Sequence, residues 1–334
     1  HAVDAQGRRI GAVAKLKDTA TSDTLRAKGS SMEIEHVEYP QAAISFAIEP
    51  ENKSDEEKIS AAIARLMDED PVLKINRDPQ THELVLSGVG QLHVEVTLAK
   101  LKGRFGVQAK LHPPKVPYRE TIRARAEAEG RHKKQSGGRG QFGVARISVE
   151  PLPAGSGYQF EDKIFGGSIS QSYRPAVQKG IAEAAERGVL AGFPLVDFKV
   201  QLLDGKEHAV DSSEMAFKIA GSLAFKEAVP KAHPVLLEPI MKVEITVPDD
   251  ALGDVMGDLT SRRGRVQGMD PRRGRQIIKA EVPLAEVLSY AIDLTSLTGG
   301  RGSYTMEFSR YEDVPPNIAQ KVIAASKKAA AAAD

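Results

Sequence analysis

One order of elements, strand–helix–strand–strand–helix–strand, can be read twice in this chain, on either side of a central stretch built differently. In the first copy, Ile44-Ser-Phe-Ala-Ile48 alternates as a strand does, and Pro50 to Asp55 is a polar break. Ile59, Ile63, Leu66 and Met67 then recur at the spacing of one helix face. Val72–Ile75 and Glu83–Ser87 read as strands about an Asp78-Pro79 turn, and Val107–Leu111 as the last strand. Between them, Gln91 to Gly103 satisfies both periods; its length and the Gly103 stop favour a helix. The second copy uses Met241–Val247, a stripe of Leu252, Val255, Met256 and Leu259, strands at Arg265–Met269 and Gln276–Val282, a stripe from Leu284 to Leu294, and Ser303–Phe308. Two such units predict two ferredoxin-like sandwiches, each an antiparallel sheet covered on one face by two helices.

The stretch between them, about 117–234, offers three strands: Val144–Val149, Tyr158–Ile164 and Val196–Leu203. Its first helix carries Val177, Ile181, Ala184 and Ala185 on one side and stops at Gly188. Its second opens at Asp211-Ser-Ser-Glu214, a capping-box pattern with Asp211 as cap, and ends at Pro230. Residues 1–40 read as short strands and a polar turn, the expected tail of a domain whose beginning is missing. A last helix follows Asp313-Val-Pro-Pro316 to about Lys328.

The chain of 334 residues contains no Cys, which excludes disulfides, thiolate metal sites and cysteine nucleophiles, and fits a reducing cytosol. No apolar run approaches the roughly 18 residues of a membrane span. Lys and Arg number 46 against 45 Asp and Glu, so local segregation of charge is informative. Arg131, Lys133, Lys134 and Arg139 form one basic group, and Arg262, Arg263, Arg265, Arg272, Arg273 and Arg275 a second. Guanidinium forks suit phosphate, so both groups are candidates for RNA backbone. Aromatics are only 5% and Trp is absent, so binding would be led by backbone and shape rather than by base stacking.

Other motifs fail on context. Asn52-Lys-Ser-Asp55 matches a guanine-reading motif, but no phosphate loop accompanies it, and Ser54 or Asp55 as a helix cap explains it better. Gly138-Arg-Gly-Gln-Phe-Gly143 fits a dinucleotide fingerprint, yet a basic stretch precedes it and a strand follows. His93-Val-Glu95 lacks the cysteines of a zinc deaminase, and the eight histidines show no metal-ligand spacing. No catalytic constellation is expected. His208 lies in Asp204-Gly-Lys-Glu-His-Ala-Val-Asp211, between a strand and a helix, and Gly166-Gly-Ser-Ile-Ser-Gln171 holds the same position after another strand. If those strands are parallel, both loops leave one end of the sheet, where open α/β sheets carry their sites. A plain solvated loop histidine is the competing reading.

Gln135–Gly143, Pro175–Gly180, Val210–Ala220, Leu237–Val243, Gly257–Gly264, Leu86–His93, Val282–Glu286 and Gly300–Ser303 closely resemble motifs of bacterial elongation factor G, the ribosomal translocase, in order along the whole chain. The resemblance implies an α+β fold. The end of the domain II β-barrel would occupy 1–40, ferredoxin-like domain III 41–116, a ribosomal-protein-S5-domain-2-like domain IV 117–235 and ferredoxin-like domain V 236–334. It implies no enzyme activity and no cofactor in this chain, the full-length factor being a ribosome-stimulated GTPase that uses GTP and Mg. Gly166, Gly167, Ser168, Ile169, Ser170, Gln171, Asp204, Gly205, Lys206 and His208 would form the domain IV tip, facing tRNA and mRNA at the A site. The arginines of 262–275 would meet rRNA near ribosomal proteins at the factor-binding centre. A cytoplasmic monomer is expected. Two departures stand out: the family pattern has Ile-Pro where this chain has Ile169-Ser170, and Arg131-His-Lys-Lys134 is more similar to a paralogous class. A paralogue with weak translocase or recycling activity is therefore one alternative, and a stand-alone RNA-binding protein another. A tetracycline ribosomal protection protein shares the architecture but fits the His208 loop less well.

Overall fold

The computed structural model describes residues 2, 3, 9–11, 13, 16, 19–31, 33–35, 37–40, 42–52, 55–135 and 140–333. It opens with β1 (Ala2–Val3) and β2 (Arg9–Ile10), a short antiparallel pair. Among the described residues of this segment there is no barrel, and Leu25, Ile34 and Val37 lie exposed.

The first sandwich contains β3 (Ile44–Pro50), α1 (Glu56–Glu69), β4 (Lys74–Arg77), β5 (Leu84–Gly88), α2 (Gln91–Phe105) and β6 (Ala109–His112). Its sheet runs β4-β5-β3-β6, antiparallel throughout. Ile59, Ile63 and Leu66 of α1 meet Val94 and Leu101 of α2 in its core. The competing periods over α2 resolve as helix, because Val94, Thr97 and Leu101 are buried while Leu92 and Val96 are exposed. Its stop is Gly106 at φ 68°, a left-handed conformation that costs glycine little; Gly103, expected to end it, lies inside. Asp55 sits at the N-cap of α1, but its carboxylate accepts from Lys58 Nζ at 2.9 Å instead of capping. Ser54, the other expected cap, lies outside the described residues.

The central unit begins with β7 (Arg119–Ile122) and continues through β8 (Ala126–Lys134), β9 (Gln141–Pro151), β10 (Tyr158–Asp162), α3 (Arg174–Glu186), β11 (Phe198–Lys206) and α4 (Glu214–Lys231). The sheet order is β10-β11-β9-β8, and only β10 and β11 are parallel. Val177 and Ile181 of α3 and Phe217, Ala220 and Phe225 of α4 share one core with Ile147, Val149, Val200 and Leu202. Strand β8 is not among the three read from the sequence. Its inward residues are Ala126, Ala128 and Gly130, too small to stand out as an apolar alternation. That smallness admits α4: a Cβ on Gly130 would lie 2.1 Å from the Ala220 carbonyl oxygen. The cap of α4 is Ser213, whose Oγ accepts the Ala216 N–H at 3.2 Å, and not Asp211. Pro230 lies within the last turn of α4 rather than ending it. Glu120 of β7 is fully buried, and its carboxylate accepts the N–H groups of Val189, Leu190, Ala191 and Phe193 at 2.7–3.1 Å.

The second sandwich repeats the order with β12 (Pro234–Pro248), α5 (Leu252–Ser261), β13 (Arg265–Arg272), β14 (Arg275–Pro283), α6 (Tyr290–Thr298) and β15 (Ser303–Asp313). Its sheet runs β13-β14-β12-β15. Strand β12, 15 residues long, reaches beyond the sandwich: Pro234–Leu237 pairs with β7, and the remainder with β14 and β15. No loop separates the units at 235/236. The final helix, α7 (Pro316–Ala333), sets Ile318, Ala319 and Val322 against Tyr118, Leu236 and Val314. The two sandwiches touch where Tyr304 Oη donates to the Ala43 carbonyl at 2.8 Å and where Ala291 packs into both cores. The fold is α+β, two ferredoxin-like sandwiches flanking an S5-domain-2-like unit.

Candidate functional site

Because β10 and β11 are parallel, with Tyr158 opposite Phe198 and Asp162 opposite Leu202, the loops that follow them leave the same end of the central sheet. Strand β9 runs against β11 and pairs Val144 with Lys206, while β8 pairs Lys134 with Gln141. The end of β8 and the start of β9 therefore lie at that end too. Three segments far apart in sequence converge there.

His208 is the best-defined group at this tip. Its Nδ1 accepts the backbone N–H of Val210 at 3.3 Å and of Asp211 at 3.2 Å. A nitrogen that accepts carries no hydrogen, so the neutral ring holds its proton on Nε2, which becomes a donor. The side chain is 56% exposed. Its own N–H donates to Ser212 Oγ at 2.8 Å, and that hydroxyl donates to the Phe142 carbonyl at 2.9 Å. The Phe142 N–H in turn reaches the Asp211 carbonyl at 2.9 Å, and the Phe142 ring stands edge-on to the imidazole at 6.1 Å. Gly140 packs against the Asp211 side chain, whose Cγ would lie 2.8 Å from a Cβ added there. Phe142 of the glycine-rich motif thus clamps the His208 loop.

The remaining tip residues divide. Gly166, Gly167, Gln171, Asp204 and Lys206 are exposed, and Ser168 and Ser170 are half-buried. Ile169 and Gly205, expected to face solvent, are buried against each other: a Cβ on Gly205 would come within 2.4 Å of Ile169 Cδ1. Arg174 holds this loop by donating to the Ile169 carbonyl at 3.1 Å and to Asp162 Oδ2 at 2.7 Å. The Gly205 N–H on Asp204 draws that carboxyl below its usual range. Two functional candidates escaped the sequence reading. Phe165 is fully exposed beside Gly166. Glu207 bonds Ser170 across 37 residues, a separation that no local pattern reports.

The basic groups fare differently. Arg131, Lys133 and Lys134 are exposed on β8 near the tip; Arg139 lies outside the described residues. In the second sandwich the arginines split. Arg262 donates to Asp258 Oδ2, the Glu286 carbonyl and Asp293 Oδ2, each at 2.8 Å, and lies over the Tyr290 ring. Arg263 forks onto Glu238 at 2.6 and 2.9 Å and also reaches Glu286 at 2.9 Å. Both are structural ion pairs, so their guanidiniums are not free for phosphate. Arg265 is exposed and pairs with Glu312 at 3.2 Å. Arg272, Arg273 and Arg275 surround the β13–β14 turn, exposed, with no ion pair to any described residue.

Family models match the chain in three consecutive stretches: elongation factor G, domain III, over residues 39–113; elongation factor G, domain IV, over 114–233; and the elongation factor G C-terminus over 235–322. The chain belongs to the elongation factor G family. It is also similar to the crystal structure of a protein from Thermus thermophilus, with 45% identity and a TM-score of 0.76 over 91% of this chain and 46% of that one. The chain thus spans less than half of that relative's length. In elongation factor G terms, the tip belongs to domain IV and the arginine hairpin to the C-terminal domain. Among the described residues, no group of acids and histidines could hold a metal ion, and no helix is long and apolar enough to cross a membrane.

Proposed function

We propose that this chain is the ribosome-engaging part of an elongation-factor-G-type translocase. The observation that carries this reading is the convergence of three segments at one end of the domain IV sheet, where they present the His208 Nε2–H donor beside Lys206 and the lysines of β8. Such a tip suits the A site, with His208 donating to tRNA or mRNA phosphate or base edges as they move. Arg272, Arg273 and Arg275 form the rRNA contact. GTP and Mg belong to a GTPase domain of the full-length factor, which works in the cytoplasm as a monomer; the present chain supplies no chemistry. A second reading, a paralogue with weak translocase or recycling activity, is favoured by Ser170 and by Arg131-His-Lys-Lys134.

The test is His208→Ala in the full-length factor, with mRNA movement and phosphate release followed in one stopped-flow series. Loss of one oriented hydrogen bond is expected to slow movement about tenfold while phosphate release is unchanged. Movement at the wild-type rate would overturn the tip mechanism, and equal slowing of both steps would move the defect to ribosome binding.

A further inference from the structure

The Glu207 carboxylate joins the two loops of the tip. Ser170 donates its backbone N–H to Glu207 Oε2 at 2.8 Å and its hydroxyl to Oε1 at 2.9 Å. Each oxygen takes one hydrogen, a two-pronged arrangement that fixes distance and direction together. Both ends of this contact are otherwise held. On one side, Ile169 is fully buried and its carbonyl accepts from Arg174. On the other, Glu207 lies between Gly205, packed on Ile169, and His208, whose ring and backbone are held by Val210, Asp211 and Ser212.

Serine at 170 is what makes the contact possible. A proline there would have no N–H and no hydroxyl, and both prongs would vanish. The carboxylate would then face solvent with nothing to hold it to the neighbouring loop.

We infer that Glu207 and Ser170 form a clasp that positions His208 against the 163–173 loop, making two loops one recognition surface. Glu207 acts through its neighbour and is a positioning residue. The inference deepens the translocase reading, and its kinetic arm rests on that reading; its exchange arm does not.

The experiment compares Glu207→Ala, Glu207→Gln, Ser170→Pro and the double variant Ser170→Pro/Glu207→Ala. In this chain, hydrogen exchange at the Ser170 amide is expected to quicken about tenfold in Glu207→Ala. Glu207→Gln should restore most protection, since its amide oxygen accepts the N–H and its NH2 donates to the hydroxyl. In the full-length factor, Glu207→Ala should slow mRNA movement several-fold with phosphate release unchanged, and Glu207→Gln should recover the rate. Ser170→Pro should match Glu207→Ala, and the double variant should be no worse than either, because the pair acts as a unit. Unchanged Ser170 exchange in Glu207→Ala, or additive slowing in the double variant, would overturn the clasp. His208→Ala run alongside separates the two readings. If it slows movement and Glu207→Ala does not, the positioning role falls while the translocase reading stands. If neither slows movement, the translocase reading falls and takes the positioning role with it.

Discussion

The tip of the central unit and the arginine run of the second sandwich are both cation-rich in sequence, yet they hold their charge in opposite ways. At the tip, Arg131, Lys133 and Lys134 stay exposed along one strand, and the His208 ring is oriented by backbone N–H groups. In the arginine run, residues only a few positions apart meet different fates. Arg262 and Arg263 turn inward onto Asp258, Asp293, Glu238 and Glu286, whereas Arg272, Arg273 and Arg275 remain outside on a turn. A run of like charge along a chain is therefore not a patch in space. What decides is whether carboxylates from other elements fold onto it, and Glu238 comes from β12 and Glu286 from the segment after β14.

The comparison can be broken most forcefully at Arg263→Ser. This change strands Glu238, whose side chain is only 3% exposed, as a buried charge without a partner. Unfolding in urea should show a loss of about 3 kcal/mol or more. A change below about 0.5 kcal/mol would mean that Arg263 is as solvent-governed as its neighbours on the turn. The next effect is in binding. Arg272→Ser, Arg273→Ser and Arg275→Ser combined should leave stability within about 0.5 kcal/mol, yet lower the slope of log ribosome affinity against log salt by about 2. An unchanged slope would make the turn an ordinary solvated surface.

The smallest effect lies on the outer face of β10 and β11. Hydrogen bonds from Lys163, Lys199 and Gln201 bring the Glu161 carboxyl from its ordinary 4.5 down to about 2. A carboxyl depressed in the folded state adds stability above its unfolded value and loses it as pH falls. The contribution should thus be full above about 4.5 and fade toward pH 2, and a carboxyl NMR titration of Glu161 reads the folded midpoint directly. A midpoint near 4.5 would show that this exposed network does not hold.

Much of the architecture was legible because large apolar residues carry the periods. Ile59, Ile63 and Leu66, or Val200 and Leu202, point inward where the alternation says they should. Strand β8 was not legible, since Ala126, Ala128 and Gly130 bury a face without bulk. The capping pattern at Asp211–Glu214 misled by a short step, because Ser213 offered a better-placed oxygen while Asp211 faced Gly140. At the site, the parallel pairing that brings the two loops together was only a condition in the sequence, and the structure meets it. Ile169 was expected at the tip because its loop resembles the family's tip loop, but side-chain direction is a tertiary fact, and Ile169 is fully buried. The partnership of Glu207 with Ser170 had no local signal at all.

The buried carboxylate of Glu120 has a mechanical consequence. The chain passes between the central sheet and the long strand β12 twice, at 123–125 and 232–233, and these crossings are bonded side by side, with the N–H groups of Arg123 and Ala124 on the Ala232 carbonyl. Two parallel straps alone would let the central unit nod like a hinged plate. Glu120 sits on the far side of that hinge, in a strand shared with the second sandwich, and grips the 189–193 loop of the central unit. It acts as a gusset across the corner, so bending at the two crossings would have to break its four hydrogen bonds to that loop.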